Sequence, residues 1–453
     1  MKLSGWGRFP VLEGRLDAPR DEAALRAALA QKEAPAIARG AGRAYGDSAV
    51  AGGGTAGRTL SSRHLNRMIA FDSVSGQLVA EAGVMLGDVI AAFLPRGWFP
   101  AVTPGTRFVT LGGMVAADVH GKNHHRDGSF GNFVDWIEVM GADGTVTCAR
   151  PGEELFEWSL GGMGLTGVIL RVAFRLRRVE TGWIQQRTIA TAGLDETMAA
   201  FEASADATYS VAWIDCLARG AGRGRAILML GEHATRHMLT KKAARHHPWG
   251  PPEGRGLNVP VDAPGWVLNG LTVGAFNRSY YARGKRRMGT GLVGWRPFFY
   301  PLDAVLGWNR IYGRRGFVQF QCVLPLDASR AGLAALLDAM AQAGQGAFLS
   351  VLKRLGPARA ASPAAAGQGL SFPMEGYTLA VDLPVNASSL ALMERLDAIT
   401  LEHGGRFYLA KDARMRAATL HRADARAARF HEMRASTGLS PVFSSHQSER
   451  LNL

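Results

Sequence analysis

Hydrophobic positions change their spacing several times along the first 180 residues. Asp21–Gln31 (DEAALRAALAQ) sets Ala and Leu at helical intervals behind an aspartate, and predicts an amphipathic helix. Ala36-Ile37-Ala38 predicts a short buried strand running straight into Arg39–Asp47. Leu78–Val84 alternates as a strand does, and Leu86–Leu94 follows with helical spacing. Phe133–Met140 and Thr145–Ala149 predict a hairpin turned at Ala142-Asp143-Gly144. A glycine cluster, Gly161-Gly162-Met163-Gly164, precedes an apolar strand over Gly167–Ala173. From about residue 181 to about 400 the texture changes. Strand-like runs (Ser210–Ile214, Phe317–Leu324, Thr378–Leu383) there alternate with helical ones (Arg330–Ala341, Ser388–Glu402), and the alanine-rich Ala358–Gly369 predicts a loop. Near Gly404-Gly405 the glycines return. The fold class expected is α+β, with units over 1–180, 181–400 and 401–453.

A chain of 453 residues, 47% hydrophobic, can bury the cores of two or more domains. No apolar run reaches the roughly 18–20 residues of a bilayer span, and the most apolar stretch, Gly256–Phe276, is broken by Pro260, Asp262, Pro264 and Asn269. Met1–Pro10 lacks the apolar segment of a signal peptide, so a soluble, cytoplasmic protein is expected. Cys148, Cys216 and Cys322 form neither a disulfide framework nor a zinc pattern. The net charge of +14 calls for an anionic partner: nucleic acid, a small anionic substrate or a membrane surface. Nucleic acid is set aside because no helix-turn-helix, zinc-finger or RNP pattern appears. Positive charge is densest between Arg219 and Arg296, with Tyr280, Tyr281, Trp295 and Phe298 interleaved. That composition suits the inner face of a membrane, and equally a solvated loop.

Two glycine-rich segments carry the candidate chemistry. In Arg39-Gly40-Ala41-Gly42-Arg43-Ala44-Tyr45-Gly46-Asp47 a strand ends in G-x-G, which offers bare backbone N–H groups to a phosphate, with Arg39 and Arg43 as cationic partners. The dinucleotide fingerprint fails, because Tyr45 stands where a third glycine belongs. The second segment is Pro104-Gly105-Thr106 followed by Leu111-Gly112-Gly113-Met114-Val115-Ala116-Ala117-Asp118-Val119-His120-Gly121-Lys122-Asn123-His124-His125. Its small residues let backbone pass beside a flat ligand. A metal site is not expected, because His124 and His125 would diverge on a strand and no carboxylate cluster accompanies them.

Together these segments resemble the sugar-oxidising flavoproteins of the decaprenylphosphoryl-β-D-ribose 2'-oxidase type, in the vanillyl-alcohol-oxidase-like (PCMH-type) superfamily. The likeness extends to Gly128–Asn132, Gly164–Gly167, Tyr300–Asp303, Trp308–Arg310, Gln319–Gln321, Val381-Asp382 and Tyr408–Asp412. It implies a two-subdomain FAD-binding domain from residues 1–180, completed by 401–453, and a substrate (cap) domain over 181–400 with an antiparallel sheet flanked by helices. By carry-over, Arg39, Gly40, Ala41, Gly42, Arg43, Ala44 and Tyr45 hold the diphosphate and flavin edge. Pro104, Gly105, Thr106, Gly112, Gly113, Ala116, His120, Gly121, Ile169 and Tyr408 line the FAD. Lys122, Gln319, Gln321, Lys353, Asp382 and Lys411 match the substrate side. Covalent relatives carry a histidine where Arg43 stands, so non-covalent FAD is expected. Mycobacterial-type enzymes carry a cysteine where Ala380 stands. The resemblance implies oxidation of a secondary hydroxyl of a polyprenyl-phosphoryl pentose to a ketone. A short-chain NAD(P)H-dependent reductase then completes the epimerisation. Lys411 is the first candidate to handle the hydroxyl proton, ahead of Tyr45 and His120. The alternatives are an oxidase of a soluble alditol or aldonolactone, and a non-catalytic flavin- or nucleic-acid-binding protein.

Overall fold

The computed structural model describes residues 1–453 except 32–33, 252–255, 266, 348 and 360–368. Most of the loop expected at Ala358–Gly369 therefore lies outside the described residues.

Besides the short antiparallel ladder Lys2–Leu3/Leu12–Glu13, the N-terminal region holds two larger sheets. Arg15–Asp17, Arg58–Ser61 and Ala36–Arg39 make a small parallel sheet with Arg58–Ser61 at its centre. The helix Glu22–Ala30 links its first strands; Asp21 caps it by accepting from Ala24 N (2.8 Å), and Leu25 and Leu29 are buried. The second sheet is antiparallel and built around the long strand Val168–Arg178, flanked by Gln77–Glu81 and Val134–Met140. The Asp143-Gly144 turn forms as its residues demand: Asp143 Oδ1 accepts from Thr145 N (2.9 Å), and Gly144 sits at φ +81°.

An eight-stranded antiparallel sheet dominates the rest of the chain. Its order is Gly289–Gly294, Trp183–Thr191, Ala226–His233, Tyr209–Ile214, Ser350–Leu355, Gly376–Pro384, Phe317–Pro325 and Arg406–Phe407. The helices Ser329–Ala343 and Ala387–Glu402 pack on one face, where Leu333, Leu336, Leu337, Leu392 and Leu396 are buried. One buried cluster runs from Val172 and Phe174 of the second sheet to Phe320, Leu352 and Leu379 of this one.

Two expectations need correction here. The basic region Arg219–Arg296 is largely regular structure, not loop. It contributes the interior strand Ala226–His233, the 17-residue helix Gly270–Arg286 and the edge strand Gly289–Gly294. A capping box between Asn269 and Thr272 starts that helix, while Gly270, Gly274 and Gly284 mask its helical spacing in the sequence. His124 and His125 open a helical turn, His124–Asp127, rather than lying on a strand.

The C-terminal segment touches both halves. Arg406–Phe407 is the edge strand of the large sheet. Farther on, Ala36 N donates to Val442 O (2.7 Å) and Ser444 N to Ala36 O (3.1 Å), which ties residues 442–444 to the parallel strand Ala36–Arg39. Arg450 then pairs with both Asp47 (2.7 Å) and Asp412 (2.8 Å). The G-x-G loop and the Tyr408–Asp412 stretch are thereby held beside each other.

Candidate active site

The two glycine-rich segments meet. Gly40 lies so close to Thr110 that a Cβ there would overlap the threonine side chain. Thr110 in turn caps the helix Leu111–Ala116 by accepting from Gly113 N (3.3 Å). Between the segments and the open face of the large sheet lies a cavity of about 420 Å³. Its walls include Gly40–Tyr45, Pro104–Thr106, Gly112, Gly113, Ala116, His120, Gly121, Ile169 and Tyr408. Lys122, Gln319, Gln321, Lys353 and Lys411 line the same space.

Strand geometry sets the polar end. Gln319 and Gln321 are two residues apart on Phe317–Pro325 and share a face. Gln321 pairs in register with Ala380, and Lys353 with Thr378. The Gln321 amide donates to His120 Nε2 (3.0 Å), which leaves the neutral ring protonated on Nδ1. That Nδ1 is buried without a hydrogen-bond partner among the described residues. Burial, reinforced by Lys353, His124 and Lys411, holds the His120 imidazolium form well out of reach at neutral pH. Tyr408 donates to Ala117 O (2.9 Å) and stacks on Phe372 at 4.8 Å.

Three amines line this end. Burial lowers Lys122 to about 7 and Lys353 to about 8. Lys411 is lowered by burial and by Lys353, against the attraction of Asp382. Its Nζ stands 3.8 Å over the Tyr45 ring. Burial first, then Asp382, pushes the Tyr45 hydroxyl well above its ordinary value, so it remains protonated.

Two expected site residues are placed elsewhere. Arg39 does not line the cavity: its guanidinium donates to Ser4 O (2.7 Å) and Ala49 O (3.2 Å), bracing the loop from behind. Asp382 is fully buried behind Gln319, whose amide donates to its Oδ1, so it acts on the cavity through Gln319 and Lys411. Asp412, the other carboxylate near Lys411, belongs to Arg450. Among residues not anticipated, Trp6 lines the cavity with Arg43 at 4.1 Å over its ring. Trp6 arrives by backbone pairing, donating to Ala44 O (2.8 Å), and no sequence motif announces it. Asp303 also lines the wall and accepts from Arg107 N (2.9 Å); it sits in the Tyr300–Asp303 stretch that carried the resemblance. Among the described residues no cluster of His, Cys, Asp and Glu could hold a metal ion.

The cavity fits FAD. Small residues at Gly40–Gly42, Gly112, Gly113, Ala116 and Gly121 bare the backbone along part of its wall, Gly105 leaves open space where a side chain would stand, and an orphaned buried imidazole nitrogen and three amines gather at one end. Comparison with known proteins agrees. The FAD binding domain family matches residues 15–149. The chain is 36% identical to the decaprenylphosphoryl-beta-D-ribose oxidase of Mycolicibacterium smegmatis, over all of this chain and 97% of that protein. It is also 36% identical to an uncharacterized protein in the mprA 5' region of Streptomyces coelicolor, over 80% of this chain and 97% of the relative. The solved structure of wild-type Physcomitrella patens BBE-like 1 superposes with a TM-score of 0.64, covering 95% of this chain and 90% of that one; at 13% identity it speaks to the fold alone. Fold and site thus define an FAD-dependent oxidoreductase acting on CH–OH groups. Within that class, the chain belongs to the decaprenylphosphoryl-β-D-ribose oxidase family.

The thiols make one test available. Cys216 and Cys322 are buried, and burial raises them to about 11 and about 12, while Cys148 is exposed on the far hairpin. Ala380 lines the cavity. Iodoacetamide is expected to spare the wild type. In Ala380→Cys it should abolish flavin reduction at least about tenfold faster, read as residual activity against time.

Proposed function

We propose that the chain oxidises the 2'-hydroxyl of a polyprenyl-phosphoryl ribose to the ketone, the first half of an epimerisation. The observation that carries this reading is the polar end of the cavity, where Lys122, Lys353 and Lys411 converge with Gln319, Gln321 and His120. Bound FAD supplies the acceptor for the carbinol hydrogen and its electron pair. Gly40–Tyr45, Pro104–Thr106, Gly112, Gly113, Ala116, Gly121, Ile169 and Tyr408 hold that cofactor without a covalent bond, Arg43 standing where a covalent linkage would need a nucleophile.

The chain's own groups handle the proton and the anion. Lys411, with its ammonium form disfavoured, takes the hydroxyl proton at Nζ. Tyr45 stays protonated and serves as a donor beside it, not as the base. His120 is held neutral by its surroundings and oriented by Gln321. Lys122 and Lys353 hold the phosphodiester as charge-assisted donors, since an anion raises their lowered affinities for a proton. A short-chain NAD(P)H-dependent reductase acting on the keto-sugar would restore a hydroxyl of opposite configuration. No helix among the described residues is long and apolar enough to cross a membrane, so a lipid-linked substrate is met by peripheral contact.

Anaerobic mixing of the yellow protein with a prenyl-phosphoryl ribose tests the reading. The flavin absorbance should be lost, and the sugar recovered two hydrogens lighter. Bleaching by a soluble alditol or aldonolactone, with none by the prenyl-phosphoryl sugar, would replace it with the soluble-polyol alternative.

A further inference from the structure

The cavity wall changes character away from its polar end. Trp213, Tyr280, Leu302, Val305, Leu306 and Leu349 make that outer part apolar. Tyr280 belongs to the helix Gly270–Arg286, packed on Trp213 with ring centroids 4.7 Å apart. Val305 and Leu306 form a two-residue parallel ladder with Leu257 and Asn258. The apolar surface does not stop at the mouth. Leu306 is 49% exposed, Leu257 71% and, at the start of the helix, Leu271 85%. Phe276, 42% exposed, stacks on Tyr280 at 5.7 Å. Scattered apolar residues are ordinary on a surface, but Leu306 lines the cavity, Leu257 and Phe276 adjoin its lining residues Val305 and Tyr280, and Leu271 lies on the same helix as Tyr280.

The helix beside the opening carries positive charge only. Between Asp262 and Asp303 the chain contains no carboxylate, yet it carries Arg278, Arg283, Lys285, Arg286, Arg287 and Arg296. The helix buries Val273 and Asn277 against the protein and exposes its arginines and lysine. A surface with protruding leucines, stacked aromatic rings and the exposed helix cations Arg278, Arg283, Lys285 and Arg286 matches an anionic bilayer, where apolar tips enter the acyl boundary and cations meet phosphate.

From this juxtaposition we infer that the helix Gly270–Arg286 and the ladder Leu257–Asn258/Val305–Leu306 seat in the interface of a bilayer containing anionic phospholipid, with the cavity mouth facing the lipid. The inference rests on the lipid-linked substrate proposed above and adds the surface through which that substrate passes. A prenyl chain then stays in hydrocarbon or against Leu302, Val305 and Leu349 while its sugar reaches the lysines.

Vesicle flotation of the flavin-loaded protein tests it, with phosphatidylcholine alone against a phosphatidylcholine–phosphatidylglycerol mixture. The wild type should float with the mixed vesicles only, and high salt should release it. In Arg278→Glu/Lys285→Glu, losing two cations at about fivefold each should weaken the partition at least about 25-fold. Leu257→Asp/Leu271→Asp should weaken it too. Both variants should still bleach with a water-soluble short-chain prenyl-phosphoryl ribose at the wild-type rate, which shows an intact site, while losing turnover of long-chain substrate embedded in vesicles. The proposal is overturned if the wild type ignores mixed vesicles, or if neither double variant changes its binding. It is equally overturned if light scattering shows a wild-type dimer that Leu257→Asp/Leu271→Asp dissociates, since a second copy would then own this surface. Vesicle binding as expected, with no bleaching by any prenyl-phosphoryl sugar, would uphold the docking surface and remove the proposed substrate instead.

Discussion

Lys411→Met is expected to slow bleaching of the flavin by the sugar substrate about a thousandfold while leaving the protein yellow. The figure is the middle of the range for removing a positioned general base. Methionine keeps the length and apolar contacts of the stem and deletes only the amine. The pH dependence separates this role from a passive one. Burial has moved Lys411 below the 10.5 of free lysine. As pH rises through that lowered value the ammonium gives up its proton, the base becomes available and the rate climbs. An ammonium that merely stabilised an alkoxide would give the opposite slope, with the rate falling as pH rises. Lys411→Met should therefore lose both the rate and its rising limb, measured by anaerobic stopped-flow bleaching across the pH range. A variant slowed less than about tenfold, or one that keeps the limb, would assign proton removal to another group.

Much of the fold was legible because local chemistry and tertiary demand agree at the relevant places. The Asp143-Gly144 turn needs a residue at φ +81° and an aspartate to cap it, and both are written in the chain. Phe317–Pro325 and Gly376–Pro384 are apolar on the face that helices cover, and their polar residues Gln319, Gln321, Thr378 and Asp382 fall together on the face toward the cavity region. Legibility failed where tertiary contact overrides local signal. Trp183–Thr191 is interrupted by Gln185, Gln186 and Arg187, yet it forms an interior strand because neighbours on both sides satisfy its backbone. The helix Gly270–Arg286 hides behind three glycines, one of which, Gly284, is small because Ile227 packs where its side chain would be. At the site, residue types that line a cavity could be named from motifs, but their depth could not. Arg39 and Asp382 sit in the right segments and stand one layer back, where Ser4 O, Ala49 O and Gln319 occupy them. Trp6 reaches the cavity only through backbone pairing with Ala44, a contact with no local signature.

Gly105→Phe is expected to abolish FAD retention without unfolding the protein. Most glycines of this site cannot serve the test. A side chain at Gly40 would strike Thr110, and one at Gly112 would come within 2.8 Å of Ala82 Cβ, so either change disturbs the protein as well as the ligand. Gly105 is different. It lies on the cavity wall, no heavy atom stands within 4 Å of the place its Cβ would take, and its backbone is outside the left-handed region. A phenyl ring there costs the protein itself no contact and fills space that the cofactor needs. The purified variant should be colourless, with FAD affinity at least about a hundredfold weaker, equivalent to about 2.7 kcal/mol. Its melting temperature should equal that of the cofactor-free wild type, while the wild type alone gains stability on adding FAD, by mass action. Gly105→Ala, adding one methyl group to open space, should keep the yellow colour. If Gly105→Phe binds FAD as tightly as the wild type, the Pro104–Thr106 wall does not touch the cofactor, and the assignment of this cavity to FAD fails with it.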